Sequence, residues 1–252
     1  MAKTIKKKPR VIFISDAKFS ASPKKLANKL NLLSTTRKHL VRLKSRPQLL
    51  PSLKRKLLTW GQNINKLQQY QAFKNNNLPH PEWTTDINEA EQWHKDGHTV
   101  LARTLLNSFG GKGIVIFDET SGFNRNIKSQ VWTKYKKKKS EFRIHIFGNQ
   151  IIDFAQKKKQ KEANNNNNNV NHKIRNHKNG WVYCRENIEI SPTINSLALS
   201  AINTLNLQYG AVDIIWNEKE QQAYILEVNT SPGLDGKTVD TYAQAFNTFL
   251  NN

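Results

Sequence analysis

Two apolar runs near the carboxyl end follow the alternating pattern of paired β-strands. They span residues 210–216 and 223–229, and a polar loop separates them. If the strands pair symmetrically about that loop, Asp213 lies directly opposite Glu227. Because side chains alternate between the faces of a strand, Asn229 shares the face of Glu227. Three oxygen-bearing side chains are therefore predicted to converge. The opposite face, packed on two amphipathic helices, is predicted to carry Val212, Ile214, Trp216, Tyr224, Leu226 and Val228.

The rest of the pattern alternates between short strands and amphipathic helices, which predicts a mixed α/β (α+β) protein. Strands are predicted at 11–15, 57–60, 99–105, 113–117, 142–147, 150–154 and 180–184. Helices are predicted behind Ser22, over 63–75, from Asp86 through Trp93 with Glu89 completing a capping box, over 194–205, and after Asp240. The polar stretch from Lys157 through the Asn164–Asn169 tract is predicted to be a loop.

The composition is that of a folded protein. The 252 residues are 37% hydrophobic and 9% aromatic, which excludes disordered and fibrous chains. The single Cys184 cannot form an internal disulfide, and we expect it to be a small core residue in a reducing compartment. No apolar run reaches the ~20 residues that span a bilayer, and the start lacks the apolar stretch of a signal peptide. A cytoplasmic location is expected, in the host if the protein is viral.

Positive charge is concentrated at the amino end. The chain carries 40 Lys and Arg against 19 Asp and Glu, a net charge of +21. Residues 1–60 contribute 17 basic side chains and one acid, Asp16, and therefore +16 of that total. Such a segment suits nucleic acid, an acidic protein tail or phosphate groups. It is equally typical of a solvated surface, and we expect Lys136–Lys139 to be solvated in that way.

The converging carboxylates of Asp213 and Glu227 indicate a metal site. Two carboxylates at close range raise each other's pKa unless a cation lies between them. A set of oxygen ligands completed by Asn229 suits Mg²⁺ or Mn²⁺, and protein-bound Mg²⁺ usually also binds substrate phosphates. The alternative is a pair of strand-end acids with Lys partners.

Residues 107–112 form a glycine-rich segment between two predicted strands. Glycine adopts backbone conformations that other residues avoid, so this segment is predicted to be a tight, mobile loop. Such a loop can approach a phosphate closely, but it lacks the GxxxxGK[ST] pattern of a P-loop.

The motif LEVNTSPGL at 226–234, following GAVDIIW at 210–216, resembles the ATP-grasp superfamily, whose magnesium ligands are an Asp and then a Glu and an Asn two residues apart. The resemblance covers residues 63–252 and makes Asp213, Glu227 and Asn229 the metal ligands. The overall shape looks most like the short ATP-grasp proteins of bacteriophages and the ribosomal-protein glutamate ligases.

The resemblance implies an ATP-grasp fold, in which two α+β subdomains sandwich the nucleotide. These are placed at 63–134, with the glycine loop, and at 135–252, with the metal site. A small basic α/β domain at 1–62 precedes them.

The resemblance also implies a set of nucleotide-contacting residues. Lys66 and Arg103 take the positions of phosphate-binding basic residues, although many relatives have Lys in place of Arg103. The loop with Gly110, Gly111 and Gly113 closes over the triphosphate. The other implied residues are Thr133, Lys134 and Tyr135 for adenine, Glu141 for the ribose, Arg143 and Arg175 as catalytic residues, and Lys157 (or Lys158) and Asn176 for phosphates. His145 and His172 are expected to be structural or exposed.

The function implied is that of an ATP- and Mg²⁺-dependent ligase joining a carboxylate to an amine (or thiol) through an acyl phosphate, with release of ADP and phosphate. The partners implied are ATP, a carboxylate and an amine acceptor, such as a peptide or an acidic protein tail. The alternative is a nucleic-acid-binding protein that uses residues 1–60 and carries an inert ATP-binding scaffold. Neither a membrane partner nor an oligomeric state is indicated.

Overall fold

The computed structural model describes residues 11–15, 21–29, 56–108, 110–160 and 170–251. Its strands are β1 (Val11–Ser15), β2 (Lys56–Trp60), β3 (Trp83–Thr84), β4 (Val100–Arg103), β5 (Ile114–Phe117), β6 (Val131–Lys134), β7 (Ser140–Phe147), β8 (Gln150–Lys159), β9 (Trp181–Cys184), β10 (Tyr209–Asn217) and β11 (Gln222–Asn229). Its helices are α1 (Ser22–Lys29), α2 (Lys66–Asn75), α3 (Ile87–Lys95), α4 (Pro192–Thr204) and α5 (Lys237–Asn251). The predicted mixture of helices and strands is confirmed.

The described strands form three sheets. β1 and β2 pair in parallel, and β3, β6, β4 and β5 form an antiparallel sheet in that order. The third sheet has the order β11-β10-β7-β8-β9, and all its neighbouring strands are antiparallel. Residues opposite one another in such a sheet point to the same face. Side chains from several strands can therefore meet on one surface of the third sheet.

The pairing predicted for the last two strands is confirmed. Asp213 lies opposite Glu227, and Ala211 lies opposite Asn229, so the three polar positions share one face. Their convergence is a direct result of this register.

A β-bulge in the same hairpin changes the opposite face. The register shifts by one residue after Asp213, and the next pair is Ile214 with Ile225. A bulge of this kind moves all later side chains of one strand to the other face. Ala223 and Ile225 consequently join the core, and the prediction that Tyr224 and Leu226 lie on that face is wrong.

The hairpin predicted around Gly148 is confirmed. Gly148 has a φ of +57°, and Phe147 pairs with Gln150 across the turn. β8 is longer than predicted, because Lys157–Lys159 continue the strand and pair with β9. The prediction of a loop is therefore wrong for these three residues, and residues 161–169, which include the Asn tract, lie outside the described part.

Two helix starts and one capping contact differ from prediction. α2 begins at Lys66 instead of Asn63, since Asn65 and Gln68 form a reciprocal capping box. Asp86 caps α3 by accepting from the N–H of Asn88, so the predicted box with Glu89 is not formed. α5 begins at Lys237, before Asp240.

The two carboxyl-terminal helices pack in different places, although both were predicted to cover one face. α4 contacts the core of the third sheet, where Ile144 and Val212 are fully buried and α2 contributes Tyr70 and Phe73. α5 lies with α1 in a second cluster around Trp60 and Tyr242. The third sheet is thus covered by α4 and α2 on one face, which leaves part of the other face for polar side chains.

The predicted amino-terminal α/β domain is described in part, as β1, α1 and β2. Most of its basic side chains lie outside the described ranges, and the three domain boundaries remain predictions. In the part of the chain that the structure describes, no helix is both long and apolar enough to cross a membrane.

His145 is structural, as predicted, and we expect it to make stability depend on pH. It is 3% exposed, and its Nδ1 lies 3.1 Å from the Tyr242 hydroxyl. Burial, together with the charges of Arg143 and Arg185, lowers its pKa to about 4, although Asp153 and Asp213 oppose this effect. The folded protein therefore resists a proton that the unfolded chain binds below about pH 6.5.

Because of His145, the free energy of unfolding should be lower by about 2 kcal/mol at pH 5 than at pH 7. Urea unfolding of the wild type and His145→Gln at both pH values measures the effect. The variant should lose about 2 kcal/mol less than the wild type over this interval. Equal losses in the two proteins would contradict the prediction.

Candidate active site

The third sheet aligns three charged side chains on adjacent strands. Arg143 on β7 lies opposite Asp213 on β10, which in turn lies opposite Glu227 on β11. Arg143 donates from Nε to Oδ1 and from Nη2 to Oδ2 of Asp213, both at 2.7 Å. This is the bidentate arrangement that binds carboxylates most specifically.

Burial and charge compete at Asp213. The residue is 3% exposed, and burial alone would raise the pKa of its carboxyl group. The charge and hydrogen bonds of Arg143, assisted by Lys157 and Lys66, outweigh burial and hold the pKa below its usual value. Asp213 is therefore ionised at neutral pH. Asn229 completes the group, with its Nδ2 3.5 Å from Asp213 Oδ2.

Glu227 forms an ion pair with Lys66 at the start of α2. Lys66 is 7% exposed, and its pKa is lowered by burial and next by the nearby charge of Arg103. Arg103 lies with its Cζ 6.0 Å from the centre of the Tyr70 ring, and its buried Nε has no hydrogen-bond partner among the described residues. Two predicted phosphate-binding cations thus lie close together beside the carboxylates.

Glu141 holds two lysines at the same face of the sheet. Its Oε1 is 2.5 Å from Lys157 Nζ, and its Oε2 is 2.9 Å from Lys138 Nζ. The sequence left open whether Lys157 or Lys158 faces the nucleotide, and it is Lys157 that lies on the face of Glu141. Lys138 is buried, so the expectation that it is solvated is wrong.

Arg175 is directed at the backbone. Its Nη2 donates to Lys138 O at 2.8 Å, and its guanidinium lies 4.3 Å from the Trp181 ring. Burial lowers its pKa, while Glu141 and Tyr135 oppose this effect. Arg175 therefore lies near Glu141. Among the described residues it forms no ion pair.

The glycine loop contacts the segment that contains Arg175. Asn176 donates from Nδ2 to Gly110 O at 2.7 Å, and its side chain also caps a short 3₁₀ turn by accepting from Asn179 N. Gly111 has a φ of +79°, and a Cβ there would lie 2.6 Å from Ile174 Cγ2. The second sheet and the third sheet therefore meet through this loop. Phe109 lies outside the described residues.

A second contact joins the same two regions. Lys173 forms an ion pair with Asp118, which follows β5. This bond and the Thr120 hydrogen bonds lower the pKa of Asp118.

Residues 133–135, which the resemblance assigns to adenine, make backbone hydrogen bonds in and beside the second sheet. Thr133 is 1% exposed and pairs with Trp83 and Leu101. The N–H of Lys134 donates to Glu82 O, and its ammonium is 2.7 Å from the Glu82 carboxylate and 4.9 Å from the centre of the Trp93 ring. The N–H of Tyr135 donates to Thr99 O.

Two residues of the site were not identified from the sequence. Lys138 precedes Glu141 by three positions, which is the one feature of the sequence that connects the two residues. Tyr183 on β9 faces Arg143 and Lys157, with ring distances of 4.7 Å and 5.4 Å. Only the register of β8 with β9 reveals this contact, and the Asn tract concealed that register.

The predicted metal ligands are of the type that a hard divalent cation prefers, and the register places them on one face of the sheet. In the structure each carboxylate has a cationic partner, Arg143 for Asp213 and Lys66 for Glu227, as in the alternative of acids with basic partners. Two carboxylates and an amide supply the oxygen ligands that Mg²⁺ prefers. Within the described ranges, no group of three His, Cys, Asp or Glu side chains is placed to hold a metal ion. The predicted set contains only two such residues and depends on the Asn229 amide.

Comparison with known proteins finds a family match. Residues 116–248 match the RimK-like ATP-grasp domain. The tetrahydromethanopterin:α-L-glutamate ligase of Methanocaldococcus jannaschii is 31% identical over 170 residues, which is 64% of this chain. The chain spans 56% of the length of that relative.

Solved structures share the fold. The ATP-grasp ligase PsnB, in complex with a minimal precursor, has a TM-score of 0.63 at 11% identity and covers 95% of this chain and 99% of its own. The D-alanine–D-alanine ligase of Bacillus anthracis, in complex with ATP, has a TM-score of 0.60 at 15% identity, covering 96% and 95%. The predicted ATP-grasp fold is confirmed, and because the matched domain exceeds half of its length, the chain belongs to the RimK-like ATP-grasp family.

Proposed function

We propose that the protein is an ATP- and Mg²⁺-dependent ligase that joins a carboxylate to an amine (or thiol) through an acyl phosphate. The observation that carries the proposal is the charged row of Arg143, Asp213 and Glu227, with Lys66 and Lys157 beside it. The family match and the ligase name of the methanogen relative support the same class of reaction.

The cations of the site are suited to a triphosphate. Lys66, Arg103, Lys157 and Arg143 supply four positive charges, and we assign them to the phosphate oxygens. Asn176 and the loop with Gly110, Gly111 and Gly113 would cover the phosphates from the other sheet. Glu141 is assigned to the ribose, and the backbone of Thr133–Tyr135 to the adenine. Arg175 is assigned to holding the backbone at Lys138, next to these two groups. A site closed in this way excludes water, which strengthens each of these charge interactions.

Asp213, Glu227 and Asn229 would hold magnesium. When bound there, the metal neutralises phosphate charge and helps to orient the triphosphate. The remaining work of the site is done by side chains that position the reactants.

The proposed reaction has two steps. A carboxylate oxygen of the first substrate attacks the γ-phosphorus, the bond from that phosphorus to the β–γ bridging oxygen breaks, and ADP leaves. Arg143 stabilises the negative charge on the transferring group. The amine then attacks the acyl carbon, loses a proton, and expels inorganic phosphate. Exclusion of water by the glycine loop protects the acyl phosphate from hydrolysis.

The substrates are proposed by chemical class. PsnB was solved with a peptide precursor, and the methanogen relative is named for adding glutamate to a pterin. An amino acid, a peptide or an acidic protein tail can each supply the carboxylate or the amine.

A direct assay tests the proposal. Purified protein is incubated with Mg-ATP and pools of amino acids, peptides and polyglutamate. ADP release is measured, and the products are identified by mass spectrometry. We expect ADP and phosphate to form in step with one new amide (or thioester) bond. Thermal stabilisation by Mg-ATP with no turnover on any pool, together with nucleic-acid affinity that falls steeply with salt, would favour the nucleic-acid alternative.

A further inference from the structure

Tyr183 lies on the edge strand of the third sheet, at the rim of the charged row. It pairs in register with Lys157 across β8 and β9. The residue is 36% exposed, which is high for a tyrosine that contacts buried charges. It belongs neither to the three predicted metal ligands nor to the implied nucleotide-binding residues.

The ring of Tyr183 contacts two cations at once. Its centre is 4.7 Å from Arg143 Cζ and 5.4 Å from Lys157 Nζ. Both distances fall within the ~6 Å over which a cation is attracted to an aromatic face. The two cations belong to separate ion pairs, Arg143 with Asp213 and Lys157 with Glu141. Tyr183 therefore contacts the cation of each pair.

The register explains how one ring reaches both cations. Arg143 lies opposite Ala155, and Ala155 shares the face of Lys157 two residues further along β8. Alanine is small and is here 1% exposed, so no long side chain of β8 separates the ring of Tyr183 from Arg143. A diagonal contact across an antiparallel sheet is within reach of an aromatic side chain.

An aromatic ring suits this position better than an acid would. Arg143 and Lys157 already have carboxylate partners, and a further carboxylate between them would compete with phosphate for both. The face of a tyrosine ring attracts cations through its quadrupole and adds no negative charge. It can hold the two side chains while they bind another anion.

We propose that Tyr183 is a positioning residue of the ligase site, whose ring fixes Arg143 and Lys157 in the orientation that meets the transferring phosphoryl group. The proposal rests on the function proposed above. It predicts that the ring, and not the hydroxyl, matters for turnover.

The test compares Tyr183→Phe, which keeps the ring, with Tyr183→Leu and Tyr183→Thr, which remove it. We expect Phe to stay within about threefold of the wild-type kcat, and Leu and Thr to lose about tenfold with the KM for ATP changed by less than threefold. Phe154→Leu is the matched control, because Phe154 is also 36% exposed and lies on β8 facing away from the site. It should keep wild-type kcat. Equal losses in Tyr183→Phe and Tyr183→Leu would overturn the proposal, as would wild-type kcat in Tyr183→Leu.

A second measurement does not depend on turnover. In ¹⁵N spectra of arginine side chains, the Nε–H of Arg143, assigned with Arg143→Lys, should shift and broaden in Tyr183→Leu and keep its position in Tyr183→Phe. An unchanged Arg143 signal in Tyr183→Leu would overturn the positioning role directly. If the signal behaves as expected but no acceptor supports turnover, the proposed function fails and the ring contact stands.

Discussion

Replacing Asp213 by Asn is expected to lower kcat for ATP-dependent ligation by about 10³-fold, which corresponds to about 4 kcal/mol of lost transition-state stabilisation. The change removes a buried negative charge at the centre of the charged row. It takes one carboxylate from the proposed metal ligands and leaves the Arg143 guanidinium with a neutral partner. ADP release under saturating Mg-ATP measures the effect.

Asp153→Asn is the matched control for this substitution. Asp153 also accepts a bidentate bond from an arginine, Arg185 just after β9, with Nε at 3.0 Å and Nη2 at 2.7 Å. It lies towards α5, where Thr238 also donates to it. We expect this variant to keep kcat within about threefold of the wild type. Similar losses in the two aspartate variants would mean that a general loss of structure, and not the site, explains the first result.

Gly111→Ala is expected to lower kcat by about 10²-fold, the loss that a displacement of about 1 Å in a positioned site can cause. The new Cβ would lie 2.6 Å from Ile174 Cγ2, which is closer than real Cβ contacts. Either the loop or Ile174 would have to shift, which would displace the loop from the position in which we propose that it covers the phosphates. Single-turnover measurements with Mg-ATP and acceptor report the change.

Gly110→Ala separates this clash from backbone strain. Both glycines have positive φ, +64° at Gly110 and +79° at Gly111, so alanine is strained at either position. A Cβ at Gly110 meets nothing within 4 Å, and the Gly110 carbonyl can still accept from Asn176. We expect the loss at Gly110 to stay below about tenfold. Equal losses at both positions would show that contact with Ile174 is unimportant.

The parts of the fold that depend on local alternation were predictable. The alternation of apolar residues in β10 and β11 was sufficient to set Asp213 opposite Glu227, because turn position and period determine an antiparallel register. The turn at Gly148 was predictable for the same reason. The three proposed metal ligands follow from these short-range patterns together with the family motif.

The other features depend on interactions that distant segments supply. The bulge beyond Asp213 has no evident signal in the sequence, yet it exchanges Tyr224 for Ala223 on the core face. Lys138 lies in a run of four lysines, and only the fold reveals that it alone turns to Glu141. The contact of Tyr183 on β9 with Arg143 on β7 passes over β8, which lies between them.

The surfaces on which the helices pack could not be predicted from the periodicity of their apolar residues. The amphipathic pattern of α4 and α5 indicated apolar faces but not the surfaces that they cover. α4 packs on one face of the third sheet, whereas α5 packs with α1 and Trp60 against Phe147 and Tyr209 on the other face. The partner of an apolar face is decided by topology, which a single helix does not encode.

The ion pairs of the charged row bear on how this protein can be engineered. In many enzymes, like charges are held together in the active site, and removing one of them increases stability at the expense of activity. Here Asp213, Glu227 and Glu141 each already have a cationic partner, so deleting either member of a pair leaves a buried charge alone. Mutational searches for a more stable protein should therefore avoid these positions and use surfaces far from them, because the ion pairs that stabilise the fold here are formed by the residues that we propose bind the substrates.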